Sequence, residues 1–182
     1  VNGATLGILG LGAIGAAVAR RARGFGMTLL YHGPNRKLDL EDSLGIEAAS
    51  LESLLERSDF VSLHAPLTPE THALINAQTL RLMKRTSVLV NTSRGGLVDT
   101  AALVAALEAR HIAFAALDVT EPEPIPGDHR LLDLENCLVV PHIGSASEAT
   151  RLRMAMMAAN NLLAALGGDR PKHLVNPEVL GR

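Results

Sequence analysis

The chain predicts a doubly wound α/β fold with a parallel sheet, on three observations. Short apolar strands alternate with helix-period segments along the sequence, and a glycine-rich turn joins the first strand to the first helix. Hydrophobic residues make up 47% of the 182 residues, aromatics only 2%, and there is no tryptophan. A core of Leu, Ala, Val and Ile suits helices laid on both faces of a buried parallel sheet.

The elements follow in order. Thr5–Leu9 reads as an apolar strand, Ala13–Phe25 as a helix and Thr28–Tyr31 as a second strand. Ile46–Ala49 is a weak third strand, followed by a helix over Leu51–Arg57 and a strand over Phe60–Leu63. After a Pro- and Thr-rich loop come a helix near Ala77–Met83, a strand at Val88–Val90 and a helix over Thr100–Ala109. Ile112–Leu117 and Leu138–Val140 are the last strands. A long Ala- and Met-rich helix runs from about Ser147 to Leu166. Ser145-Ala146-Ser147-Glu148 fits a capping box at its start, and Gly167-Gly168 fits its stop.

Gly10, Gly12 and Gly15 form G-x-G-x-x-G after a strand and at the opening of a helix. The first glycine permits the tight turn, the second lets backbone approach a pyrophosphate, and the third lets helix pack on strand. The helix start then offers free N–H groups to phosphate. This points to a Rossmann-type dinucleotide-binding domain over residues 1–168, with 169–182 as a C-terminal tail. Expected cofactor contacts in the loop are Gly10, Leu11, Gly12, Ala13, Ile14 and Gly15.

Composition excludes several classes. A net charge of −2 without a Lys/Arg block gives no electrostatic case for nucleic acid or an anionic membrane. No apolar run is long enough to span a bilayer and no leader-like segment precedes the first strand, so a cytoplasmic protein is expected. Cys137 lies in an apolar run and reads as a packing residue. His64, His72 and Cys137 match no common metal-site spacing, and no metal is expected. His72, His111, His129 and His173 read as surface residues; His64 closes a strand, with a structural role and a place near the nicotinamide ribose both open.

In such folds ligands sit beyond the carboxyl ends of the strands. The later strands end at His64-Ala65-Pro66, Asn91-Thr92-Ser93-Arg94, Asp118 and Pro141-His142, all polar groups for one edge. A histidine, an arginine and a carboxylate around a nicotinamide suit carbonyl reduction. Histidine hands a proton to the carbonyl oxygen, a carboxylate fixes the imidazole, and arginine grips a substrate carboxylate with two parallel hydrogen bonds. His142, Glu123 and Arg94 are the candidates.

The segments "DFVSLHAPLTPETHALIN", "LVNTSRGGLVDTAALVAAL", "AALDVTEPEPIPGDHRLL" and "VVPHIGSASEATRLRMA" resemble the D-isomer-specific 2-hydroxyacid dehydrogenases, most of all the glyoxylate/hydroxypyruvate reductases. The resemblance runs from Gly7 to Val179. It implies that Arg94 binds the substrate carboxylate and carbonyl, that Glu123 supports the histidine, and that His142 is the acid/base. Glu121 competes with Glu123 for that role, and the motif spacing favours Glu123. Pro66, Thr92, Ser93, Asp118 and Gly144 are the further expected cofactor contacts. The resemblance also implies a small 2-keto acid substrate and a homodimer formed through this domain, with part of the Met154, Met156, Met157 cluster facing the partner. In the family a substrate domain precedes the first Rossmann strand, and Val1 stands about four residues before it here, so most of that domain is expected to be absent. A non-enzymatic module of the C-terminal-binding-protein corepressor type stays open as the alternative, because it uses the same scaffold and triad.

NAD-preferring domains end the second strand with an acid that binds the ribose hydroxyls and repels a 2′-phosphate. Here Tyr31 is followed by His32-Gly33-Pro34-Asn35-Arg36-Lys37, with no acid before Asp39. NADP is therefore expected in preference to NAD, with Arg36 as the main phosphate contact and Asn35 and Lys37 beside it.

Overall fold

A computed structural model describes residues 1–181. They divide into two compact units, Val1–His142 and the segment from Ile143 onward. The first holds a seven-stranded sheet in the order β3-β2-β1-β4-β5-β6-β7, every pair parallel. The strands are β1 (Thr5–Leu9), β2 (Thr28–His32), β3 (Glu47–Ala48), β4 (Phe60–Leu63), β5 (Val88–Asn91), β6 (Phe114–Leu117) and β7 (Cys137–Val139). The helices between them are α1 (Ala13–Arg23), α2 (Leu38–Leu44), α3 (Leu51–Arg57), α4 (Ala77–Leu82) and α5 (Thr100–Glu108). The expected doubly wound α/β class is the observed one.

Two apolar clusters lie on opposite faces of the sheet, as period-two alternation requires. Ile8, Leu29 and Tyr31 join Ala16, Ala19 and Ala22 of α1 in one cluster. Their neighbours Leu9 and Leu30 join Leu54 and Leu55 of α3, Leu80 of α4 and Leu103 and Leu107 of α5 in the other. Small alanines on α1 let that helix sit close to the strands. Cys137 packs against the larger cluster, and burial pushes its thiol up to about 11.

Helices α3, α4 and α5 start on the side-chain caps that local chemistry favours, each typically worth about 1 kcal/mol. Ser50 accepts from Ser53 N at 3.2 Å, and Asp99 accepts from Ala102 N at 3.0 Å. Asn76 and Thr79 form a reciprocal capping box on α4, a signal the sequence reading passed over. His129, expected as a plain surface residue, instead caps a 3₁₀ turn by accepting from Leu131 N at 3.2 Å.

α2 was not expected, because its apolar residues are too few to show a helical period. Packing and polar bonds hold its segment instead. Leu40 and Leu44 pack against the smaller cluster. Glu41 accepts from the Tyr31 hydroxyl at 2.5 Å and from Arg36 through both carboxylate oxygens, the Nε bond measuring 2.7 Å. The same Tyr31 hydroxyl accepts from Lys37 N at 2.8 Å. A buried tyrosine, a half-buried glutamate and an arginine thus pin the loop between β2 and α2.

In the second unit, α6 (Glu148–Leu166) is capped by Ser147, whose hydroxyl accepts from Thr150 N at 3.3 Å. This corrects the expected Ser145–Glu148 box: the cap lies two residues later and its partner is Thr150. Gly168, at φ +81, follows the helix end as expected. No residue of α6 is buried within the structure. Asn161 links it to the His173 backbone in both directions, at 3.2 and 3.3 Å. Among the described residues no helix is long and apolar enough to cross a membrane.

The Glu41 cluster has a measurable signature. Hydrogen bonds from Arg36, then from Tyr31, hold the Glu41 carboxyl down at about 2, below the ordinary value of about 4.3. A depressed carboxyl stabilises the fold above its unfolded value and loses that contribution as pH falls through its folded one. Denaturant melts of Glu41→Gln should therefore show lower stability than wild type at pH 5 and above, with the gap closing between about pH 4 and pH 2.

Candidate active site

Parallel pairing sends the carboxyl ends of all the strands to one edge, and the polar residues read from the sequence collect there. At the end of β1, Gly10 takes φ +97, and a Cβ built on it would stand 2.6 Å from Ala65 N. Only glycine lets the loop after β1 lie against the loop after β4. A Cβ on Gly15 would run into the Gly10 carbonyl oxygen, so α1 also needs glycine to start this close to the turn. Gly12 has nothing within 4 Å of the same position. It is the N-cap of α1 and provides no side-chain cap, so the first-turn N–H groups of Ala13, Ile14 and Gly15 face an open approach. Leu11 is buried and anchors the loop, whereas Ile14 is exposed. This cradle fits the pyrophosphate of a dinucleotide.

The loops after β4 and β5 are tied together. Ser93 donates its hydroxyl to Ala65 O at 2.6 Å. Asn91, buried at the end of β5, accepts from Ser93 N at 3.0 Å and donates to Arg94 O at 2.9 Å. Asn91 was not singled out from the sequence, although an amide closing an apolar strand is a usable signal. Its two bonds shape the turn that presents Thr92 and Arg94, both exposed at this edge with Pro66. Arg94 donates Nη1 to Ser93 O at 2.6 Å, which turns its guanidinium back onto the loop's own backbone. His64 is half-buried behind them, its Nε2 2.9 Å from Ser62 Oγ, and burial pushes the imidazole pKa down.

Gly95 and Gly96 then let the arginine loop pack on the loop after β6. A Cβ on Gly95 would overlap the Thr120 carbonyl, and one on Gly96 would come 2.8 Å from Glu121 Oε2. Glu121 is thereby engaged over Gly96, and its carbonyl accepts from Thr100 Oγ1 at 3.2 Å. Glu123 makes the other contact: His142 Nδ1 lies 2.6 Å from Glu123 Oε1. Of the two glutamates, it is Glu123 that meets the histidine.

The pair opens into a cavity of about 410 Å³, also lined by Asp118, Ile125, Leu132 and Val140. A carboxylate only accepts, so Nδ1 carries the hydrogen and Nε2 is the nitrogen left to exchange a proton. His142 adopts φ +52, a left-handed conformation that costs a non-glycine residue roughly 1 kcal/mol or more. Its N–H donates to Asp118 O and Val140 O, each at 3.0 Å, so the ends of β6 and β7 hold it there. Asp118 itself is buried, its N–H donating to Asn91 O at 2.9 Å. Gly144 belongs to the second unit.

At the end of β2, His32, Asn35 and Arg36 line a groove of about 360 Å³ facing Ala48–Ser50, and Lys37 follows them, exposed. Arg36 is not a free cation there, since Glu41 takes two of its nitrogens. Among the described residues no group of His, Cys, Asp and Glu is placed to hold a metal ion.

A doubly wound sheet with a glycine cradle and a Glu–His pair at its carboxyl edge defines a dinucleotide-dependent class. Comparison with known proteins narrows it. A model of the D-isomer specific 2-hydroxyacid dehydrogenase NAD binding domain matches residues 1–144, and the chain belongs to that family. A glyoxylate reductase of Korarchaeum cryptofilum is 58% identical over 180 residues, covering 99% of this chain and 54% of that protein. One from Aeropyrum pernix is 53% identical over the same share. The crystal structure of the TT0316 protein of Thermus thermophilus superposes with a TM-score of 0.90 at 52% identity, covering 96% of this chain and 54% of that one. The chain spans about half the length of the curated relatives it matches.

The two glycines separate stability from binding. Gly10→Ala should destabilise the fold by roughly 1–3 kcal/mol, because it adds both a backbone clash and a strained φ. Gly12→Ala should leave the melting curve near wild type while weakening NADH binding roughly tenfold, measured by calorimetry. Equal effects of the two substitutions on both measurements would contradict this division of roles.

Proposed function

We propose that the protein carrying this chain is an NAD(P)H-dependent reductase of small 2-keto acids, with glyoxylate as the leading substrate. The observation that carries the reading is the 2.6 Å contact between His142 Nδ1 and Glu123 Oε1 at the edge where the glycine cradle lies. A nicotinamide cofactor, held by the cradle of Gly10, Gly12 and Gly15, would supply the hydride for the carbonyl carbon. As negative charge grows on the carbonyl oxygen, His142 gives it the Nε2 proton. Glu123 keeps the ring in one tautomer and offsets the charge of the imidazolium before transfer. Arg94, whose guanidinium is planar, holds the substrate carboxylate and aligns the carbonyl with both groups. The apolar Ile125, Leu132 and Val140 line the cavity beside the pair.

Support also comes from the relatives named glyoxylate reductase, and nothing comparable favours the corepressor alternative. Contacts of Pro66, Thr92, Ser93, Asp118 and Gly144 with the cofactor belong to the same proposal, as does a preference for NADPH. The preference rests on the missing acid at the end of β2, on Arg36, which lines the groove while bonded to Glu41, and on the exposed Lys37 that follows it. A homodimer through this domain, with part of the exposed Met154, Met156, Met157 cluster of α6 facing the second copy, belongs to the same proposal, and sedimentation would read the dimer.

Replacing His142 with Ala should cut glyoxylate-dependent NADPH oxidation by roughly 10²–10⁴-fold while cofactor binding persists. Arg94→Ala should chiefly raise KM for the keto acid. If neither variant affects turnover, the proposal fails. Titrating both reduced cofactors into Arg36→Ala tests the phosphate contact: a selective loss for NADPH supports it, and equal losses count against it.

A further inference from the structure

The arginine loop after β5 and the histidine turn after β7 have one buried side chain between them. Asn91 closes β5 at 1% exposure, in register with Leu63 of β4 and Leu117 of β6. An amide buried there costs free energy unless both of its ends are bonded. Both are, and to the following turn: Oδ1 accepts from Ser93 N at 3.0 Å and Nδ2 donates to Arg94 O at 2.9 Å. A backbone N–H only donates and a carbonyl only accepts, so the amide is oriented one way. A carboxylate would hold Ser93 but set an acceptor against Arg94 O, and an apolar side chain would hold neither.

The backbone of the same residue faces the other arm. Asn91 O accepts from Asp118 N at 2.9 Å, and Asp118 O accepts in turn from His142 N at 3.0 Å. A short run of hydrogen bonds thus leads from the Arg94 backbone through Asn91 and Asp118 to the His142 backbone. The Arg94 guanidinium bonds to Ser93 O, within its own loop, so its place follows from where that loop's backbone stands. Leu97 N also donates to Arg94 O, at 3.3 Å, which leaves the shorter bond to Asn91 as the loop's tie to the sheet at that carbonyl.

We propose that Asn91 is a positioning residue for the reaction. Its side chain sets the place of the guanidinium that holds the substrate carboxylate, relative to the imidazole that protonates the carbonyl. Those two groups must meet opposite ends of one small keto acid, and a displacement of about 1 Å can cost roughly a hundredfold in rate. Buried beneath the loop, Asn91 acts through Arg94 and not on the substrate. This rests on the reading of Arg94 as the carboxylate anchor and of His142 as the proton donor.

Steady-state glyoxylate reduction by the full-length protein tests it, with kcat counted per NADH-binding site from calorimetry. The variants are Asn91→Asp, Arg94→Ala and the two combined. Asn91→Asp should lower kcat per site roughly 10- to 100-fold and leave KM for glyoxylate within about threefold, since the arginine still captures the keto acid but holds it out of line. In the Arg94→Ala background the same substitution should cost about twofold or less, because no guanidinium remains to be placed. A loss of full size in both backgrounds, or a kcat per site near wild type in Asn91→Asp, overturns the positioning role. Asn91→Ala removes both bonds without burying a charge, and it serves the same comparison if the aspartate variant does not fold. If Arg94→Ala leaves kcat and KM unchanged, the anchor reading fails and this role with it.

Discussion

Parallel strand pairing is the constraint on which the rest of the molecule depends. Each parallel pair needs a crossover long enough to carry the chain back, so helices must cover both faces of the sheet. That coverage takes the alternating residues of β1 and β2 into two separate clusters. Polar groups cannot be hidden in such a sheet without partners, so they are driven to its ends. The amino edge only receives chains returning from helices. The carboxyl edge receives chains that turn sharply into helices, with unpaired N–H groups at each start. Binding capacity at that edge is a by-product of how the core is buried.

The turns at this edge are packed against each other rather than merely adjacent. Gly10 lies against Ala65, Ser93 donates to Ala65, Gly95 and Gly96 lie against Thr120 and Glu121, and His142 donates to Asp118. From the glycine cradle to the Glu123–His142 pair, each loop rests on the next through backbone or a side chain bonded to it. A displacement at one is therefore felt along the edge. The strained φ of His142 fits this picture, because two strand-end carbonyls hold its N–H and over-determine its place.

Much of this was legible in the residues. Apolar runs such as Leu29-Leu30-Tyr31 and Leu89 between two valines mark buried strands, and G-x-G-x-x-G marks the one turn that must be tight. Glu123 and His142 could be nominated from chemistry and spacing, and the structure brings them to 2.6 Å. What escaped was held by interactions with no local signature. α2 depends on Leu40 and Leu44 meeting α1 and on Glu41 meeting Tyr31, contacts that no window of its own sequence shows. Asn91 escaped for a related reason: its task is to satisfy its own turn, and an amide reveals that only once its partners are placed. Arg36 was legible as a cation but not as a paired one, since its partner lies across a loop whose fold was not anticipated.

That pairing changes how the groove after β2 must be understood. Glu41 orders the loop, with Tyr31 and Arg36 both donating to it, and ordering lowers the entropic cost of gripping a ligand there. The same carboxylate withdraws part of the positive charge that would attract a phosphate. Rigidity and charge are thus traded against each other within one cluster. Because Arg36 is exposed, its ion pair adds little to stability by itself, and the stabilising weight of Glu41 lies as much in its bond from the buried Tyr31. With Arg36 restrained, the firmest geometry of the groove lies at the strand end, where position is set by the sheet. The side chain held there from both backbone and ring is His32. A groove whose arginine is already engaged is ordered before any ligand arrives, and its charge is spent in part on that order.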